Sequence, residues 1–204
     1  WFALCVIVSL WHVGKFFIVT AISETSAYWA AYLIYIAAIL IPPAYLHFIL
    51  ALLGEERTHR TGLWGSYVLA GVEYILLLSG GLIAGVSYQP HIGFYEVPSE
   101  AYWVYVCNYV VVPSFAIFRL AIVFARIESA VKKNQLKYVI YSSLIGFLAG
   151  ATSFVPFVTS VAPPFGAPVV YFYTLPITYA VARYRLLDIN VVIRKSVTYA
   201  LLLS

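Results

Sequence analysis

Two ionisable residues lie deep inside apolar runs of this chain: Glu73 in SYVLAGVEYILLL and Arg119 in SFAIFRLAIVF. A charge at the centre of a bilayer-spanning helix costs about 2.5–3.5 kcal/mol on the insertion scale, so such groups turn towards a bundle interior or a water-filled cavity. At helical spacing Glu73 shares a face with Gly62, Ser66, Gly80, Ala84 and Ser87, a small and polar stripe suited to close helix contact. Asn108, Phe115, Arg119 and Arg126 form a similar line on a later segment. The chemistry open to these residues is an intramembrane polar network in which Glu73 pairs with Arg119, with His47 and Asn108 as further members. Two other readings compete with it. Arg119 lies about two turns from an apolar boundary and can snorkel to headgroups by itself, and a string of such groups can form a proton or ion path.

His12 and Lys15 stand one helical turn apart in the first apolar run and are candidate ligand or pH-sensing contacts. Against that role, Lys15 can snorkel outward, and one His without carboxylate or Cys partners makes no metal site. Arg183, Arg185 and Asp188 lie at and just beyond the end of the last apolar run and are candidate signal-exit residues, with solvated charge as the plainer reading. The chain contains no HExxH, GxSxG or CxxC, no Gly-rich nucleotide loop after a strand, and no His followed by the acidic residue of a phospho-acceptor helix. No catalytic residue, metal ligand or cofactor is expected.

The elements that position these residues follow from composition. Of 204 residues 63% are hydrophobic and 10% charged, with a mean hydropathy of +0.92, which is too little charge for the surface of a soluble domain. Apolar runs bounded by charges, Pro/Gly clusters and aromatics predict six spans: Trp1–Ile22, Tyr28–Leu53, Gly62–Tyr88, Ala101–Phe124, Tyr138–Val161 and Pro168–Tyr184. Backbone in hydrocarbon must satisfy its own hydrogen bonds and no barrel-like alternation is present, so the expected fold is all-α, a polytopic transmembrane helix bundle over 1–184 followed by a juxtamembrane linker over 185–204. Pro42, Pro43, Pro113, Pro156 and Pro176 interrupt spans, as hinges or as the ordinary irregularity of membrane helices. Gly81/Gly85 and Gly146/Gly150 are small-residue pairs suited to packing within the bundle. Cys5 and Cys107, both in apolar segments, define no disulfide framework.

Ten of the twelve Lys and Arg residues fall in alternate loops: Arg57 and Arg60 in GEERTHRT, Arg126, Lys132, Lys133 and Lys137 in RIESAVKKNQLK, and Arg183, Arg185, Arg194 and Lys195 near the end. By the positive-inside rule the loops 54–61 and 125–137 and the C-terminal segment are expected in the cytoplasm, in an inner membrane. The loops around Glu24, over Gln89–Glu100 and over Ala162–Ala167 carry no Lys or Arg and are expected outside. The basic balance is thus explained by topology, and no nucleic-acid partner is expected.

Three stretches resemble the N-terminal seven-helix membrane region of bacterial sensor histidine kinases. They are FALCVIVSLWHVGKFF with YWAAYLIYIAAILIPPAYLHFILALLG, then KKNQLKYVIYSSLIGFLAG, and then YAVARYRLLDINVVIRKSVTYALL. The resemblance implies a missing first helix, hence seven spans in the parent protein. It also implies a sensory module that passes ligand or membrane state to an appended cytoplasmic histidine kinase, as a homodimer responding to a small, amphiphilic or peptide ligand. The competing class is a transporter or channel subunit, against which the absence of inverted self-similarity between 1–100 and 101–204 counts.

Overall fold

The computed structural model of this protein describes residues 1–90, 92–158 and 166–184. Five helical stretches among them are long and apolar enough to cross a bilayer: Phe2–Val19, Glu24–Leu53, Arg60–Leu78, Tyr102–Arg126 and Ala130–Phe157. The described residues fall into two compact units, one within Trp1–Leu120 and Phe154–Pro164, the other within Ala121–Ser153 and Phe165–Ser204.

In the first unit, α1 (Phe2–Val19) packs along α2 (Glu24–Ala38). The contact face of α1 is Leu4, Val8, Trp11, Gly14 and Ile18, at three- and four-residue spacing; that of α2 is rich in Ala27, Ala30, Ala31, Ala37 and Ala38. Small residues let the two backbones approach: a Cβ on Gly14 would lie 2.7 Å from Ile34 Cγ1 and 3.0 Å from the Ile34 backbone nitrogen. The opposite face of α1 exposes Phe2, Val6, Leu10, Val13, Phe16 and Phe17. An apolar outside around a small-residue inside is the arrangement lipid favours.

Ser23 starts α2 with a reciprocal cap, its hydroxyl accepting from Ser26 N at 3.2 Å while Ser26 Oγ accepts from Ser23 N at 3.3 Å. The second span breaks after Ala38 and resumes as α3 (Ile41–Leu53). Pro42 and Pro43 sit in the first turn of α3, where a missing N–H costs nothing. Gly54, at φ 72°, closes α3 in the left-handed conformation. In α4 (Arg60–Leu78) the inward face is Leu63, Ser66, Ala70, Glu73 and Leu77, while Trp64, Val68, Val72, Ile75 and Leu78 are exposed.

The third expected span, Gly62–Tyr88, requires correction. α4 ends at Leu78, Gly80 turns the chain at φ 76°, and β1 (Ile83–Gln89) pairs antiparallel with β2 (Gly93–Pro98), Val86 opposite Glu96 and Gln89 opposite Gly93. The described residues are mostly helical, compatible with the expected all-α bundle, with one two-stranded hairpin inserted between α4 and the next long helix. Ile83–Gln89 and Gly93–Pro98 pair their backbones as strands, and Ser99 closes the base through N to Leu82 O at 3.2 Å and Oγ to Gly81 O. Gly80, Ala84 and Ser87 therefore do not extend the Glu73 stripe, and Gly81/Gly85 lie outside any helix. β2 follows α1 closely enough that a Cβ on Gly93 (φ 89°) would sit 3.0 Å from Val19 O. α5 (Tyr102–Arg126) returns with Tyr102, Tyr105, Asn108, Pro113, Ala116 and Leu120 buried. Phe154 and Phe157, the latter on the short α7 (Val155–Val158), pack on Tyr102.

The second unit centres on α6 (Ala130–Ala151), against which pack α8 (Ala167–Val170), a 3-10 turn (Tyr171–Tyr173) and α9 (Thr174–Tyr184). The expected sixth span is thus helical in pieces and is not among the five long ones. Gly146 meets the Tyr173 side chain, Ser142 Oγ donates to Tyr173 O, and Gln135 Nε2 donates to Tyr184 O at 2.6 Å. Arg126, Lys132, Lys133, Lys137 and Arg183 are exposed in this unit, with Lys133 over the Phe124 ring and Lys137 over that of Tyr141.

Candidate functional site

The first unit holds several polar clusters, most of them joining elements distant in sequence. Lys15 of α1 places Nζ 2.6 Å from Glu96 Oε1 of β2 and 4.6 Å from the centre of the Tyr95 ring. Tyr35 of α2 donates to the same Glu96 oxygen at 3.3 Å, and its hydroxyl lies 2.8 Å from that of Tyr102 on α5. A chain of hydroxyl donors therefore runs from Tyr102 through Tyr35 to the carboxylate. The Glu96 side chain is 2% exposed and that of Lys15 14%, so the ion pair is largely out of solvent. Tyr102 and Tyr105 meet Tyr35 edge-on, and Phe154 and Phe157 close round Tyr102. The ion pair together with Tyr35 and Tyr102 fastens the hairpin to three helices.

Lys15 thus reaches a carboxylate within the fold and does not snorkel. His12 points elsewhere: its Nδ1 lies 2.8 Å from Val8 O and its ring meets Trp11 edge-on. Glu96 and Tyr35 escape sequence reasoning, Glu96 because the 89–100 segment reads as an outer acidic loop. The available signal is two runs of β-branched and aromatic residues, VSYQ and GFYEV, around a Pro-bounded turn.

In the second cluster Asn108 Nδ2 of α5 donates to Glu73 Oε2 of α4 at 3.0 Å, so two members of the expected network meet. Arg119 does not join them. Its guanidinium makes a two-pronged contact with Glu55, Nε to Oε2 at 3.1 Å and Nη2 to Oε1 at 2.7 Å, which corrects the expected Glu73–Arg119 pair. Glu55 lies in the tight loop after Gly54, which carries it under α5; the planar fork matches a carboxylate better than a lone longer reach would. His59 Nε2 lies 3.6 Å from Glu55 Oε2 and its ring packs edge-on against Phe115. His47 is also elsewhere, between Tyr67 OH at 3.1 Å and Glu56 Oε1 at 3.2 Å. Its two ring nitrogens thus face a hydroxyl and a carboxylate within the same stretch of the unit.

Arg183 is exposed in the last turn of α9, and Arg185 and Asp188 lie outside the described residues. Among the described residues no group of three or more His, Cys, Asp or Glu side chains is placed to hold a metal. An open apolar groove of about 570 Å³ runs between the end of α1 and the start of α2, lined by Phe17, Ala21, Ile22, Trp29 and Leu33 with Thr20 and Ser26 at its polar edge. Comparison of the chain with family models, curated proteins and solved structures gives no match.

Proposed function

We propose that this chain is the membrane-embedded sensory module of a bacterial signalling receptor, with a cytoplasmic histidine kinase as its output. The observation that carries the reading is the hairpin fastened to α1, α2 and α5 through Lys15, Glu96, Tyr35 and Tyr102. A small, amphiphilic or peptide ligand that bears on the hairpin changes the energy of contacts shared by three helices at once. A ligand shifts a two-state bundle only through such a difference in contact energy between its packings. The distribution of Lys and Arg supports a cytoplasmic side at 54–61, 125–137 and beyond Tyr184, with the hairpin outside. The RYRLLDI exit supports seven spans in an inner-membrane homodimer whose helix shifts reach the kinase through Arg183, Arg185 and Asp188. The transporter reading is the weaker one, since Lys15, Glu73 and Arg119 each close onto their own local partner.

A fusion of the chain after Ser204 to the phospho-acceptor and ATP-binding core of a histidine kinase tests this in cells. Glu96→Ala and Lys15→Ala, which release the hairpin, are expected to shift basal reporter output several-fold in the same direction at equal membrane abundance. Unchanged output, or substrate uptake by vesicles carrying the unfused chain, overturns the receptor reading.

A further inference from the structure

Glu73 in α4 has no accessible surface, and Asn108 in α5 is 2% exposed. Their one hydrogen bond uses Asn108 Nδ2 and Glu73 Oε2. The remaining oxygen of each group, Glu73 Oε1 and Asn108 Oδ1, is buried without a hydrogen-bond partner among the described residues. Both are acceptors, and an ionised carboxylate has no donor to offer. A buried carboxylate that keeps its charge without a cation is among the costliest groups a protein can hold.

Among the described residues no cation reaches it. Lys15 is engaged by Glu96 and Arg119 by Glu55. The titratable groups around it are Tyr74 beside it on α4, which donates to Ile36 O, and Tyr105 one turn before Asn108 on α5. From α2, Tyr32 donates to Leu77 O; from α3, His47 is occupied by Tyr67 and Glu56. None of these is a fixed positive charge.

We propose that Glu73 and Asn108 form a binding site for a single proton inside the bundle. The proton, taken from water, sits on Glu73 Oε1 and is donated to Asn108 Oδ1, while Asn108 Nδ2 continues to donate to Glu73 Oε2. One proton thereby satisfies both orphaned oxygens and closes a cyclic, two-bond joint between α4 and α5. Its loss leaves one bond, a buried anion and an unmatched carbonyl, so the helix pair loosens or admits water. The joint works whichever output the bundle serves.

Infrared spectroscopy of the full chain in lipid nanodiscs tests the site. A protonated-carboxyl C=O band is expected at neutral pH, absent from Glu73→Gln, with the Gln variant melting close to the parent because an amide can reproduce both bonds. If Glu73→Gln does not fold, Asn108→Leu serves instead, and the same band is expected to move to higher frequency as its hydrogen bond is lost. Absence of the band in the parent at neutral pH overturns the proposal, and so does a band that neither variant alters. Stabilisation of the parent by sodium at constant pH, without the band, assigns the site to a metal cation and overturns it equally.

Discussion

Lys15 and Glu96 meet across most of a unit, and the consequence of separating them is specific to buried charge. Removing one partner strands the other, a loss of about 3–5 kcal/mol, whereas replacing both by apolar groups of similar volume is often neutral. Lys15→Met alone is therefore expected to destabilise strongly, and Lys15→Met with Glu96→Leu to recover most of that loss. Thermal melting of the two singles and the double in detergent measures the coupling; simple additivity would show that the contact contributes little. At this scale the sequence exposes which residues are anomalous but not whom they meet. Glu73 and Asn108 are visible as polar positions on inward helical faces. Arg119 is equally visible, yet its partner Glu55 comes from a loop that no helical periodicity positions.

Close approach of α1 and α2 rests on Gly14, where an added Cβ falls 2.7 Å from Ile34 Cγ1 and 3.0 Å from its backbone nitrogen. Gly14→Ala must move one helix and is expected to cost about 1–3 kcal/mol, the range for overpacking a filled interface. Gly71 on α4 has open space where its Cβ would be, so Gly71→Ala is expected to be neutral or to gain up to about 1 kcal/mol from helix propensity. Unfolding of the two variants side by side in mixed micelles checks the contrast; equal effects would place the α1–α2 contact elsewhere. The helices themselves are legible because length and apolarity decide them. The hairpin is not, since Ile83 and Val86 are as hydrophobic as a span and the chain leaves α4 at Ser79 to turn at Gly80, which has positive φ. Likewise Pro42 and Pro43 predict an interruption, but their place at the start of α3 shows a joint that leaves little backbone unpaired.

Across the molecule, helix faces that expose Phe, Val, Leu and Ile while burying Ala, Gly and Ser call for a hydrocarbon solvent. With Cys5 and Cys107 replaced by Ala, Tyr88→Cys on the hairpin is expected to react with a membrane-impermeant maleimide on intact cells. Arg57→Cys, in the loop after α3, is expected to react only after permeabilisation. The opposite pattern would invert the orientation, and equal labelling of both would place the loops on one side. The length and apolarity of the helices, the mostly helical class and the basic asymmetry of the loops were determined by the sequence by itself, because they are sums over local composition. The hairpin, the Lys15–Glu96 pair, the diversion of Arg119 to Glu55 and the meeting of Glu73 with Asn108 were decided only by tertiary structure. Each depends on which of several sterically possible neighbours the packed backbone brings within hydrogen-bond reach.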